Sequence, residues 1–349
     1  MNFSPEHQAQ IDAQKKECVY CKINRGEIPG KKVFEDDKSL AILDIYPAKK
    51  GHTVFLFKEH YPLPAFIPSD QFTHFFGLIP GLSKALKSAL VTTGVNMLLV
   101  AGGPAGQQFP HMGVHLFPRE PGDGFFNFMF KMKVATEEGI TKMLQNNLPL
   151  MMQNHFARNP AEWHIGKGNV PSFLTEIYQN SNVMYEDEKT LCVLPQKGAV
   201  IGHMHIYSKQ EEKYIENLSP QDSAHLNFVA SFAATAAFEG LQAHGTNVVM
   251  VSGESDDNPK GKLILHVLPR MQGDALQHLF WQPKPPKDDL DKIAGKIKDK
   301  AWKLSYKEKR SELPRFVKPP VIKINDTKES KKHSNPEDEI KEAIARLQQ

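Results

Sequence analysis

The residues of this chain best suited to chemistry are two cysteines three positions apart, Cys18 and Cys21, and two histidines four positions apart, His111 and His115. The histidines sit in Ala105-Gly-Gln-Gln-Phe-Pro-His-Met-Gly-Val-His-Leu-Phe-Pro-Arg119. Read as a strand, this stretch turns His111, Gly113 and His115 one way and Met112, Val114 and Leu116 the other. It presents two imidazoles on one face with a glycine between them. A close cysteine pair with distant histidines is the pattern zinc uses; a Cys-x-x-Cys pair is also simply two reduced thiols in an intracellular protein. Asp44 closes the apolar run Leu40–Leu43. A carboxylate there accepts two vicinal hydroxyls well, and it equally caps a turn. His203-Met204-His205 puts two more imidazoles on one strand face, either as ligands or as buried, hydrogen-bonded side chains.

The stretch 105–119 resembles the signature of the histidine triad (HIT) family, His-x-His-x-His followed by two apolar residues. In that family a Gly-Gln dipeptide precedes the first histidine, as Gly106-Gln107 does here, and the middle histidine is the nucleophile of nucleotidyl transfer or hydrolysis. The middle position here is Gly113, which has no nucleophilic atom. The neighbouring position on the same face, His115, is about 7 Å further along a strand, too far for the same in-line attack. The resemblance implies a structural zinc held by Cys18, Cys21, His60 and His111, and purine nucleotide contacts from Asp44, Gln107 and His115. It places Val100 where the family carries an asparagine that touches phosphate, so one phosphate contact is lost. The expectation is a protein without nucleotidyl-histidine chemistry, with weak purine nucleotide binding. The competing expectations are a hydrolase or transferase with an unforeseen nucleophile, and a scaffold that meets RNA or a protein partner through the basic C-terminal region.

A step of 151 residues carries His115 to His266, Gly51-His52 to Gly202-His203, Phe34-Glu35-Asp36 to Tyr185-Glu186-Asp187, and Gly122-Asp123 to Gly273-Asp274. One ungapped offset over that span reads as a tandem duplication. At the same step Cys18, Cys21, His60 and His111 become Asn169, Ser172, Glu211 and Lys262, Gly113 becomes Ile264, and Asp44 becomes Pro195. All the site residues are lost together, while His52 and His115 persist as His203 and His266. A pair that outlasts the site reads as a structural hydrogen-bonded couple.

The elements that must position these residues follow from pattern. Val33-Phe34 and Leu40–Leu43 read as strands around the turn Glu35–Lys38, followed by strands at Gly51–Phe57 and Met97–Val100. Helices begin near Ser69 and at Ser219-Pro220, where Ser is an N-cap and Pro takes the first helical position. The expected organisation is α+β: a loose lead-in over 1–15, a first HIT-like unit over 16–130, and a helical connector over 131–168 interrupted at Pro149. A second, degenerate unit follows over 169–306, and then a charged, mobile tail over 307–349 with a short helix at Asn335–Leu347. Each unit is expected to be an antiparallel sheet with packed helices, the two joined as an intrachain pseudodimer. The last helix of the second unit carries the stripe Leu290, Ile293, Ala294, Ile297, Ala301, Leu304. The lysines over 292–310, with Trp302 and Tyr306, form either a solvated face or a phosphate-binding one.

Composition bounds the function class. The 349 residues carry a net charge of +3, which is no bulk signal for nucleic acid. Three cysteines make no disulfide framework, no apolar run approaches a membrane span, and Met1–His7 lacks a leader pattern, so a cytoplasmic protein is expected.

Overall fold

The computed structural model describes residues 5–158 and 166–306. Helices α1 (Pro5–Glu17) and α2 (Val19–Asn24) lead into strands β1 (Lys32–Glu35), β2 (Ser39–Leu43) and β3 (Thr53–Phe57). The long helix α3 (Ser69–Leu90) is followed by β4 (Gly94–Ala101) and β5 (Gly113–Arg119). A short β6 (Val134–Ala135) and α4 (Glu138–Arg158) connect to α5 (Thr175–Gln179). Then come β7 (Ser181–Glu186), β8 (Thr190–Pro195), β9 (Lys197–Gly198), β10 (Met204–Ser208), α6 (Pro220–Leu241), β11 (Gly245–Val251), β12 (Ile264–Arg270) and α7 (Leu290–Ala301).

Ten strands form one sheet in the order β1-β2-β3-β5-β4-β11-β12-β10-β8-β7, every neighbouring pair antiparallel. The order reads the same from either edge once 151 is subtracted from the second half. At the centre, β4 pairs with β11 so that Leu98 faces Val249, Leu99 faces Val248 and Met97 faces Met250. Leu98 and Val249 are 151 apart, and the flanking pairs exchange partners about them, which is the self-complementary geometry of a two-fold contact. Val91 and Gln242, at the ends of α3 and α6, carry the same left-handed turn (φ 57° and 52°) at the same step.

One face of the sheet is covered by α3, α4, α6 and α7. Their core joins Phe55, Phe75, Ile79 and Leu82 of the first half to Met204, Val229, Ala233 and Val267 of the second. The other face is covered by the segments that follow β5 and β12, through Phe125, Phe128, Leu276 and Leu279 packed on Leu98, Phe117, Val249 and Leu268.

Two expectations are corrected. Residues 5–17 form α1 rather than a loose lead-in, because the segment is rich in Ala, Gln, Lys and Glu, has Pro at its start and basic residues in its last turn. Pro149 lies inside α4 and does not interrupt it. Leu144, Leu148, Met152 and Phe156 bury one face of that helix in the main core, and this burial outweighs the hydrogen bond that proline removes. The connector also contains a strand, since β6 pairs with β9. The tail over 307–349 and its helix at Asn335–Leu347 lie outside the described residues. Among the described residues no helix is long and apolar enough to cross a membrane.

Candidate metal centre and adjoining cavity

The start of α2 and the loops after β3 and before β5 bring four side chains together. Cys18 precedes α2, Cys21 lies in its first turn, His60 follows β3, and His111 precedes β5; all four are buried. Cys18 Sγ and Cys21 Sγ each lie 3.4 Å from His111 Nδ1, and Cys21 Sγ lies 3.4 Å from His60 Nδ1. Tetrahedral zinc with bonds of about 2.3 Å to sulfur and 2.0–2.1 Å to nitrogen places S and N about 3.5 Å apart, so this donor set fits such an ion. His111 Nε2 donates to the Phe57 carbonyl at 2.8 Å, leaving Nδ1 as the lone-pair nitrogen turned toward the sulfurs. The bond from Cys21 holds the Cys18 thiol far below its ordinary range, and the same bond, with burial, pushes Cys21 up. A cation at the cluster would displace the thiol protons.

Next to the cluster, on the sheet face opposite α3, lies a cavity of about 430 Å³. Its walls include Asp44, Leu98, Val100, Gly106, Gln107, Gly113 and His115 from the first half, and Phe280, Trp281 and Pro283 from the second. The volume lies in the range of small-molecule sites, about 300–1,000 Å³. Asp44 Oδ1 accepts from the Tyr46 backbone amide at 2.7 Å, and burial raises its carboxyl above the usual range. Asp44 thus caps a turn with one oxygen and also lines the cavity. The Gln107 side chain accepts from the Gly102 amide (2.8 Å) and donates one N–H to the Pro62 carbonyl (2.9 Å).

The histidine couple is a directed relay. The Ala48 amide donates to His52 Nδ1 at 3.3 Å, so the His52 proton sits on Nε2 and is given to His115 Nδ1 at 3.0 Å. His115 is then left with an N–H at Nε2. Burial holds both rings below the ordinary histidine range, His115 at about 4, so both are neutral near pH 7. The second half repeats the relay: the Ala199 amide donates to His203 Nδ1 (3.1 Å), and His203 Nε2 lies 3.1 Å from His266 Nδ1. His205, the other imidazole of that strand, meets the Tyr207 hydroxyl at 3.1 Å.

Position 113 has no room for a side chain. A Cβ there would lie 2.6 Å from Leu56 Cδ2 and 2.9 Å from the Phe55 carbonyl on the paired strand. The aromatic cover was not legible from the motifs. Trp281, from the second half, lies over His52 (4.9 Å between ring centres) and His115 (5.4 Å). Phe130, from the first half, lies over His203 (5.5 Å) and His266 (4.9 Å). Phe130 and Trp281 are themselves 151 residues apart, a signal the offset contained. On α7, Ile293, Ala294, Ile297 and Ala301 are buried, while Lys292, Lys296, Lys298 and Lys300 face outward.

These features define a mixed α/β protein with a Cys/His cluster able to hold a metal ion beside a ligand-sized cavity. The family model described as the HIT domain matches residues 25–122. An uncharacterised HIT-like protein of Methanocaldococcus jannaschii is 41% identical over 107 residues, 31% of this chain and 82% of that protein. The adenosine 5'-monophosphoramidase of Candida albicans is 34% identical over 107 residues, 30% of this chain and 70% of that protein. The chain belongs to the histidine triad family. A solved ADP-glucose phosphorylase from Arabidopsis thaliana, with bound ADP-glucose, resembles it in fold with a TM-score of 0.51 at 15% identity, over 81% of this chain and 90% of that one.

Proposed function

We propose that this is a HIT protein that has lost nucleotidyl-histidine chemistry. It keeps a structural zinc at Cys18, Cys21, His60 and His111, and recognises the nucleoside part of a purine nucleotide at Asp44. The observation that carries the reading is Gly113. The nucleophile position is empty of any reactive atom, and the paired strand has closed over the space a side chain would need. Zinc would fix α2 to the loops before and after the cavity; its role at this set of four protein ligands is structural, with no open position. His52 and His115 serve as a hydrogen-bonded couple that orients strands β3 and β5. Their exact repetition at His203 and His266, where Asp44 is replaced by Pro195, supports a structural role.

The same reading takes the chain as a tandem duplication folded as an intrachain pseudodimer, the units spanning 16–130 and 169–306 with the connector between. The 151-residue step in elements, in the β4–β11 register and in the relay supports it, as does a fold likeness extending over most of the chain. The test has two parts. Purified protein with quantified zinc is offered an adenosine phosphoramidate and a dinucleoside polyphosphate, and release of AMP is followed. Turnover at ordinary enzyme rates, about 1 s⁻¹ or more, sinks the loss of chemistry. Metal content well below one zinc per chain sinks the zinc assignment.

A further inference from the structure

The cavity beside Asp44 is built to hold ribose and base, and poorly built to hold a phosphate. We infer that its ligand is an uncharged purine nucleoside, with the corresponding monophosphate discriminated against. This rests on the reading of Asp44 given above and narrows it to a ligand class.

A phosphate is held by cations, by hydrogen-bond donors or by free backbone amides. Among the described residues no lysine or arginine lines this cavity, and the formal charge on its walls is the Asp44 carboxylate. The amides of Ala105, Gly106 and Gln107 are bonded to the carbonyls of Gly102, Gly103 and Gly102, and the Gly102 amide is bonded to Gln107 Oε1. These bonds occupy four amides of the loop, those of Gly102, Ala105, Gly106 and Gln107. Of the side-chain donors, one Gln107 N–H is given to Pro62, the His111 Nε2–H to Phe57 and the Trp281 indole N–H to the Tyr46 carbonyl at 3.3 Å, while Gln108 and the Tyr20 and Tyr46 hydroxyls are uncharged donors among the lining residues. Val100 and Gly113 present carbon and hydrogen only. His115 offers one neutral N–H. Against this stands a buried dianion's desolvation, which costs several kcal/mol unless it is paired, and the like charge of Asp44.

A nucleoside meets a different set of walls. Asp44 accepts from vicinal hydroxyls. Tyr20, Phe109, Phe280, Trp281, Leu98 and Val100 supply flat and apolar surface for a base. His115 Nε2–H suits a neutral acceptor such as a ribose oxygen.

The experiment is isothermal titration of the full chain with adenosine, 2'-deoxyadenosine and AMP at pH 7.5. It is repeated on Asp44→Asn, which retains the oxygen that caps Tyr46, and on Val100→Asn, each checked for native melting. Adenosine is expected to bind at least tenfold more tightly than AMP, and 2'-deoxyadenosine more weakly than adenosine. Asp44→Asn is expected to weaken adenosine and narrow its lead over AMP; Val100→Asn is expected to raise AMP alone, by up to about tenfold. AMP binding as tightly as adenosine, with both lost in Asp44→Asn, overturns the nucleoside inference and leaves the Asp44 reading standing. No binding of any of the three at millimolar concentration overturns both.

Discussion

Gly113→His, which puts an imidazole at the position between His111 and His115, tests the proposed loss of nucleotidyl-histidine chemistry directly. The new Cβ would sit 2.6 Å from Leu56 Cδ2 and 2.9 Å from the Phe55 carbonyl oxygen. Leu56 is flexible at its tip and can rotate away. The carbonyl belongs to β3, which is paired on both sides, with β2 and with β5, so it yields only if the strand shifts. Forcing a side chain into a packed strand typically costs about 1–3 kcal/mol, and at roughly 2–4 °C per kcal/mol the variant should melt about 3–10 °C below the parent. Even correctly seated, the imidazole would face a phosphate with Val100 in place of the family asparagine. Loss of one donor that stabilises developing charge lowers kcat by about 10²–10³. The variant should therefore show no turnover of an adenosine phosphoramidate above a rate some 10²-fold below ordinary enzymes. Adding Val100→Asn and Leu56→Ala should restore part of the stability and raise the rate by about two orders of magnitude over Gly113→His alone. Robust turnover by the single variant, with an unchanged melting temperature, would refute both the steric and the electrostatic halves of this reasoning.

Three further outcomes are expected. Removing metal with a strong chelator, or substituting Cys21→Ser, should abolish bound zinc and lower the melting temperature by on the order of 5–15 °C; an unchanged melt in a metal-free sample would show that the cluster holds itself together without an ion. Stability should fall as pH drops from about 6.5 toward 4: the unfolded chain takes up protons on His52, His115, His203, His205 and His266 in that window while the buried rings do not, and His115 and His205 each have folded values near 4. Asp44, raised by burial, acts with the opposite sign and offsets a small part of this; a flat urea midpoint between pH 7 and 5 would contradict the burial of the relays. Trp281→Ala should cost about 2–3 kcal/mol and weaken adenosine binding although the residue belongs to the second half, which calorimetry on the variant would check.

How much of this was legible in the sequence depended on whether neighbours in space were also marked by spacing. The strand Gly113–Arg119, the α3 and α6 starts and the Cys/His cluster all showed, because alternation, capping and ligand chemistry are local or carried by rare residue types, although His111 lies in the loop before the strand rather than on it. Ser219 does accept from the Asp222 amide at 3.1 Å, as an N-cap should. The helix through Pro149 did not show, because tertiary burial against α6 overrides a local breaker. The cavity's aromatic wall did not show either. Phe280 and Trp281 follow the second half's last strand but close over the first half's histidines, and no pattern within 280–283 announces an exchange of that kind.

The two halves of the sheet differ in the loop that precedes the last strand. In the first half the loop from Gly102 to Met112 lines the cavity and delivers His111 to the metal cluster. Its counterpart from Gly253 to Leu263 is turned instead toward the first half. Asp256 accepts from the amides of Gly122 and Gly124 at 2.6 and 2.7 Å. Asp257 accepts from the fully buried Arg119 at 2.8 Å and from Asn96 at 3.3 Å. Arg119 is also bound by Asp123, so this buried guanidinium has two carboxylates, whereas its counterpart Arg270 has Asp274 and the neutral Asn247. Removing Arg119 would leave the buried Asp123 and Asp257 carboxylates without their cation, typically a loss of about 3–5 kcal/mol. Asp256 and Asp257 thus serve the join between halves. The carboxylates of that loop are committed to Arg119 and the 122–124 turn, whereas the 102–112 loop lines the cavity.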